Sequence, residues 1–165
     1  MSATKSQKLL MSKLQARGFK CVVDAMQARH VPDILKIEQT IYTHPWSDGN
    51  FKDSLKQGYP AHVVTSQDVI VAYAVEMIIL DETHLLNLSV VKSYQRQGVG
   101  HALLKHLIFQ AESRGQSKMV LEVRESNLAG IALYQAVNFE RVGYRKNYYP
   151  SGLGREDAII MELDF

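Results

Sequence analysis

Apolar residues along this chain recur at two different spacings, and each change of spacing marks the edge of a structural element. Residues 19–24 form a short apolar run that reads as a strand. Pro32 opens a stretch in which Ile34, Leu35, Ile37 and Ile41 recur at helical spacing. Thr43-His44-Pro45-Trp46-Ser47 breaks that helix, and Ser47 or Asp48 can cap a second short one carrying Phe51 and Leu55, closed by Gly58. Residues 61–65, 69–80 and 84–91 are rich in β-branched residues and read as three strands, turned by Ser66-Gln67-Asp68 and by Asp81-Glu82. A polar stretch, 92–97, leads into Gly98-Val99-Gly100. From there Val99, Leu103, Leu104, Leu107 and Ile108 line one face of a helix that ends at Arg114-Gly115. Residues 118–123 predict a strand, and Ser126 or Asn127 caps a helix with Ile131, Leu133 and Tyr134. The last strands fall at 139–145 and 158–163, with a loop at 149–154 between them. The order β-α-α-β-β-β-α-β-α-β-β predicts an α/β fold of three layers with a partly antiparallel sheet.

Length and composition narrow this picture. The 165 residues fit one domain, and 46% hydrophobic residues suffice for one substantial core. No segment approaches the ~18 consecutive apolar residues of a membrane span. Lys5, Lys8, Lys13, Arg17 and Lys20 precede the first acid, Asp24. Removing these five from 19 basic residues leaves 14 against 17 acids, so the remaining chain is slightly acidic. Residues 1–18 are therefore expected to be a basic extension and residues 19–165 the folded domain. The extension is either a frayed or helical tail, or an arm that touches RNA or an acidic partner. Its apolar run Leu9-Leu10-Met11 is too short for a secretory signal. Cys21 is the single cysteine, which excludes an intrachain disulfide and agrees with a cytoplasmic setting. In an apolar run it reads as a small buried hydrophobe. The six histidines are scattered and indicate no metal site.

The segment Gln95-Arg96-Gln97-Gly98-Val99-Gly100 lies between a strand and a helix. The first backbone amides of a helix have no intrahelical partner, and with the helix dipole they bind phosphate oxygens. Glycines let the backbone approach such a ligand closely. A phosphate-bearing cofactor is the physical expectation. A Walker loop is excluded, because no lysine and hydroxyl follow Gly100. A dinucleotide loop is poorly matched, since Leu103 stands where a third glycine or alanine is needed. The coenzyme A pyrophosphate pattern, Q/R-x-x-G-x-G/A, is satisfied by Gln95, Gly98 and Gly100. A plain glycine turn remains the alternative.

Further motifs weigh against that alternative. Asn87-Leu88-Ser89-Val90, the glycine loop, Leu121-Glu122-Val123-Arg124, Ser126-Asn127, Ala132-Leu133-Tyr134 and Asn138-Phe139 resemble the core of the GNAT acetyltransferases in order and spacing. Pro45-Trp46-Ser47 and the blocks 145–150 and 154–161 resemble the RimI type within that family, the ribosomal-protein alanine N-acetyltransferases. The likeness runs from about residue 20 to the C-terminus. Two positions depart from it: Val91-Lys92 stand where the family often has an acid and a proline, and Ser89 replaces a common alanine.

The resemblance implies a GNAT fold, an α/β/α sandwich whose sheet is splayed between two parallel strands. It implies acetyl-CoA as donor, no metal, and direct transfer in a ternary complex. Leu88, Ser89 and Val90 would pair with the cofactor, the Val90 amide donating to the thioester oxygen. Arg96, Gln97, Gly98, Val99, Gly100 and His101 would hold the pyrophosphate, mostly through main-chain N–H groups. Asn127 would contact the cofactor, although by itself it reads equally as a helix cap.

An α-amine with a pKa of about 7.7–8.0 must lose a proton before it attacks, and the departing thiolate must gain one. Glu122 is costly to bury in an apolar strand without a partner. By resemblance it is the general base, acting through water; the alternative is a strand-end carboxylate paired with Arg124 or facing solvent. Tyr134 matches the general acid, and otherwise reads as a packed core tyrosine. Trp46 and Tyr149 match the walls of the acceptor groove, or are a core plug and part of a packed hairpin. The implied substrate is the N-terminal alanine of small-subunit ribosomal protein eighteen. Rival readings are an acetyltransferase for a lysine, a polyamine or a small-molecule amine, and a noncatalytic ribosome- or RNA-binding module.

Overall fold

The computed structural model describes residues 20–152 and 154–165. Seven strands form one sheet: β1 (Cys21–Ala25), β2 (Ala61–Ser66), β3 (Val69–Ile79), β4 (Glu82–Val90), β5 (Lys118–Arg124), β6 (Glu140–Ser151) and β7 (Gly154–Asp164). Among the described residues four α-helices accompany them: α1 (Val31–Ile41), α2 (Asp48–Lys56), α3 (Val99–Ser113) and α4 (Leu128–Gln135). The element order is the expected one. The basic extension, residues 1–18, lies outside the described residues.

Local chemistry sets the helix starts. Pro occupies the first turn of α1, where its missing N–H leaves nothing unpaired. Ser47 caps α2 in a reciprocal pair with Asn50, and Asn127 caps α4 by accepting from the Gly130 N–H at 2.9 Å. Gly98 precedes α3 with φ of 84°, a left-handed geometry that favours glycine.

The strand order is β1-β2-β3-β4-β5-β7-β6, and every pair is antiparallel except β4 with β5. Buried residues of α1 and α2 (Val31, Ile34, Phe51) pack with Ile70, Tyr73 and Val75 on one face of β3. Those of α3 and α4 (Leu103, Leu104, Leu107, Ile131, Tyr134) pack with Val71, Ala74, Leu121 and Val123 on the other. Period two in the strands is what sends alternate residues to the two helical layers. Cys21 is 1% exposed in this core, and burial raises its thiol pKa, as suits a small buried hydrophobe.

One departure from expectation concerns the C-terminal hairpin. The stretch 149–154 was expected to be a loop, but the strands run nearly to its tip, with Tyr149 opposite Glu156 and Ser151 opposite Gly154. Two register shifts, between Arg141 and Gly143 and between Arg145 and Tyr149, interrupt β6 and broke the alternation that would have revealed its length.

Candidate active site

The parallel pair β4–β5 is short. Glu82 to Leu85 pair with Lys118 to Leu121, and there the pairing stops. At that point β4 carries a bulge: Val75 faces Asn87 and Glu76 faces Leu85, so Leu86 is the extra residue. A bulge bends and twists its strand, which turns the second half of β4 away from β5. Leu88, Ser89 and Val90 thus keep β3 on one side and have an unpaired edge on the other. The Val91 N–H donates to Val71 O on β3 at 2.9 Å. The Val90 N–H, one residue earlier, therefore points to the open edge. The Val90 carbonyl on that edge accepts from Gln95 Nε2 at 2.9 Å, so the first residue of the glycine motif ties the loop to the strand.

Two cavities meet at this gap. One, of about 720 Å³, is lined by Leu88, Ser89, Val90, Arg96, Gly98, Gly100, His101 and Asn127, with Lys92 and Gln95 beside them. The other, of about 280 Å³, is lined by Trp46, Glu122, Tyr149 and Asn127, among others. Leu88, Arg124, Asn127, Tyr42 and Tyr134 border both.

The larger cavity has the donor set for a pyrophosphate. The N–H of Ala102 is the first in α3 to reach back to Gly98 O (2.9 Å), so the amides of Val99 and Gly100, at the start of the helix, have no carbonyl one turn earlier in it. Arg96 and Lys92 add positive charge, so the departure at Lys92 favours a phosphate ligand. A Cβ on Gly100 would lie 3.3 Å from Val90 Cγ2 and 3.5 Å from Leu133 Cδ2, so a side chain there would crowd Val90 on the strand. Gln97 and Val99 do not line the cavity. The Gln97 amide turns back to Ser93 O at 2.7 Å, and Val99 is buried in the core, so any contribution from them is through the backbone.

Glu122 stands half-buried on β5 between Leu121 and Val123, which are buried. Its Oε1 lies 2.9 Å from Arg145 Nε. The expected alternative partner, Arg124, is engaged elsewhere: it holds Glu156 at 2.6 Å and Pro150 O at 2.8 Å, and its guanidinium lies 4.4 Å from the centre of the Tyr149 ring. The Glu156 carboxyl is in turn held below its usual pKa by Ser126 and by Arg124.

Tyr134 is buried against Phe139 with ring centres 5.8 Å apart, so it is both a core residue and a wall of the two cavities. Burial, with smaller contributions from Tyr42 and Tyr149, pushes its phenol well above the ordinary range. The Tyr149 hydroxyl donates to the Glu122 main-chain oxygen at 3.2 Å, and burial followed by the Glu122 carboxylate raises its pKa to about 12. Trp46 likewise does two jobs, packing on Phe51 at 5.2 Å and lining the smaller cavity.

Sequence reasoning missed several residues. Arg145 and Tyr148 lie in the C-terminal block but drew no role; Tyr148 is raised first by its hydrogen bond to Glu122. Glu38, 1% exposed on α1, accepts from Tyr73 Oη (2.8 Å), Asn87 Nδ2 (2.9 Å) and the Trp46 N–H (2.9 Å). The signal was present: Glu38 falls four residues after Ile34, on the apolar face, where a carboxylate needs buried donors.

The chain matches the Acetyltransferase (GNAT) family over residues 31–139. It belongs to that family. The [ribosomal protein bS18]-alanine N-acetyltransferase of Escherichia coli is 42% identical over 141 residues, covering 86% of this chain and 95% of that protein. Its namesake in Haemophilus influenzae is 37% identical, covering 85% and 96%. The crystal structure of the Escherichia coli ribosomal-protein-S18-alanine N-acetyltransferase superposes with a TM-score of 0.82 at 41% identity, covering 87% and 93%. Ard1 of Thermoplasma volcanium, at 22% identity and a TM-score of 0.78, shares the fold. Acetyl-CoA is the acyl donor of the GNAT family, and the larger cavity fits it. Among the described residues, no helix is long and apolar enough to cross a membrane.

Proposed function

We propose that this GNAT protein transfers the acetyl group of acetyl-CoA to the N-terminal amine of a protein, the N-terminal alanine of ribosomal protein bS18. The observation that carries the chemistry is the pair of cavities joined across the gap between β4 and β5. One takes the donor and the other the acceptor, so the reacting atoms meet at the border residues without a covalent enzyme intermediate. The acceptor is supported by the relatives of 37–42% identity that bear that name.

In this reading the Val90 N–H donates to the thioester oxygen, where negative charge develops. Glu122 takes the amine proton through water. Tyr134 returns a proton to the departing sulfur. In water, transfer from a phenol of pKa ~10 to a thiolate whose acid is ~8.5 runs uphill. Burial of Tyr134 steepens it, so the proton must move while the C–S bond breaks, in a cleft where the desolvated sulfur also holds a proton more tightly. Trp46 and Tyr149 wall the acceptor. A protein that modifies a ribosomal protein works in the cytoplasm, in keeping with the single cysteine.

The test is acetyl transfer to a peptide bearing the bS18 N-terminus, read as mass gain, beside a copy with a blocked α-amine. Gain on the free copy alone is expected. Gain on a lysine of the blocked copy, or on neither, would point to a different amine.

A further inference from the structure

The departure at Ser89 has a structural counterpart. Four side chains form one hydrogen-bond chain: Asn87 Nδ2 donates to Glu38 Oε1 at 2.9 Å, Ser89 Oγ donates to Asn87 Oδ1 at 2.9 Å, and the Tyr42 hydroxyl lies 2.8 Å from Ser89 Oγ. Its direction is fixed from the buried end. Glu38 accepts from all three of its contacts, the Trp46 N–H, the Tyr73 hydroxyl and the Asn87 amide. Asn87 must therefore turn its NH₂ to Glu38 and its oxygen to Ser89. Ser89 has one proton, and neither Asn87 Oδ1 nor the neighbouring Tyr73 hydroxyl, whose own proton goes to Glu38, can give it another; with that proton on Asn87 the Tyr42 hydroxyl is the donor to Ser89. Tyr42 is thereby left with lone pairs only for whatever else meets its oxygen. Glu38 is 1% and Ser89 2% exposed, so the anchoring end of the chain is shielded from competing water.

Tyr42 caps the C-terminus of α1 and is one of the five residues that border both cavities. We propose that Tyr42 is a further substrate-contacting residue: its oxygen accepts an N–H hydrogen bond from the attacking α-amine, and Ser89, Asn87 and Glu38 are positioning residues that hold it as an acceptor. A neutral amine attacks with its lone pair and has N–H bonds to spare. Fixing one of them aims the lone pair at the thioester carbon. As the nitrogen bonds to carbon it gains positive charge, so the contact strengthens toward the transition state. No bond to Tyr42 forms or breaks. The family's common alanine at position 89 would leave the Tyr42 hydroxyl free to rotate and present its proton to the amine instead. This inference rests on the α-amine reading above.

The experiment is steady-state acetylation of the bS18 N-terminal peptide by wild type, Tyr42→Phe, Ser89→Ala and the double variant. Ser89→Ala installs the residue the family commonly has, and Tyr42→Phe keeps the ring, so both are expected to fold; melting curves check this. Tyr42→Phe should lower kcat/KM for the peptide roughly ten- to hundredfold, with KM for acetyl-CoA within about twofold of wild type. Ser89→Ala should lower it by less, and the double variant should be no worse than Tyr42→Phe, because Ser89 acts through Tyr42. Two independently multiplying effects, an unaffected Tyr42→Phe, or a matching rise in KM for acetyl-CoA would overturn the proposal. A wild type that acetylates no α-amine would overturn the function above and this inference with it. An active wild type with an indifferent Tyr42→Phe overturns this inference alone.

Discussion

At the scale of single residues, the site separates groups by what they can hold. Glu122 is reachable and paired to Arg145, whose own side chain is largely exposed, so the carboxylate can exchange that partner for a water or an amine. Glu122→Gln keeps the shape and removes the proposed base. Turnover should fall most near neutral pH, by about 10²–10⁴-fold, and recover partly at high pH, where the amine deprotonates itself. A pH–rate profile that merely shifts down in parallel would remove Glu122 from the base role. Tyr134→Phe should lower kcat with acetyl-CoA binding intact, measured by calorimetry beside the steady-state rate; a wild-type kcat would end the acid assignment. Glu122 and Tyr134 could be picked out from the sequence because each sits in a motif of fixed spacing. The partner of Glu122 could not. Arg145 arrives from β6, 23 positions away in the chain, and only the fold decides between it and the neighbouring Arg124.

At the scale of elements, the helices and inner strands were legible because period and punctuation agreed. Pro32, Ser47, Gly98 and Asn127 each stand at a helix start for a reason visible in the chain. What the pattern hid were the irregularities that build the site. The bulge at Leu86 leaves an apolar strand looking regular, although it is where β4 leaves β5. In β6 the register shifts disguise strand as loop. The glycine loop offers a test at this scale. Gly98 has φ of 84°, and a side chain there costs about 1–2 kcal/mol. Gly98→Ala should lower the melting temperature and raise KM for acetyl-CoA, because relief of the strain tilts the start of α3 and its amides. The acceptor-peptide KM should stay put, being set across the gap. An acceptor KM that rose as much as the acetyl-CoA KM would mean that the loop does not act on one cavity alone.

For the whole molecule, the phenols buried at the cavity walls (Tyr42, Tyr134, Tyr149) and in the core beside them (Tyr73) have a consequence for stability. Burial is the largest cause of the raised pKa of Tyr42, Tyr73, Tyr134 and Tyr149, while Tyr148 is raised first by its hydrogen bond to Glu122. Each has a folded pKa above the unfolded value of ~10. Below ~10 both states are protonated and the full stability is present. As pH rises past ~10 the unfolded chain releases these protons and the folded chain does not, so stability falls until the folded values are reached. For Tyr73 and Tyr134, which are buried, the loss is about 1.4 kcal/mol per pH unit each in that window. Cys21, also raised by burial, adds a loss of the same sign that begins near its unfolded value of ~8.5. Urea midpoints from about pH 8 to about 11 should therefore decline steeply past ~10, and Tyr134→Phe should flatten the decline by roughly one tyrosine's share. An unchanged slope in Tyr134→Phe would mean that this phenol ionises as easily folded as unfolded. The same burial that makes ionisation costly keeps the proton on Tyr134 past the ordinary phenol value of ~10, so a fall in activity between about pH 8 and 10 should not come from ionisation of this phenol.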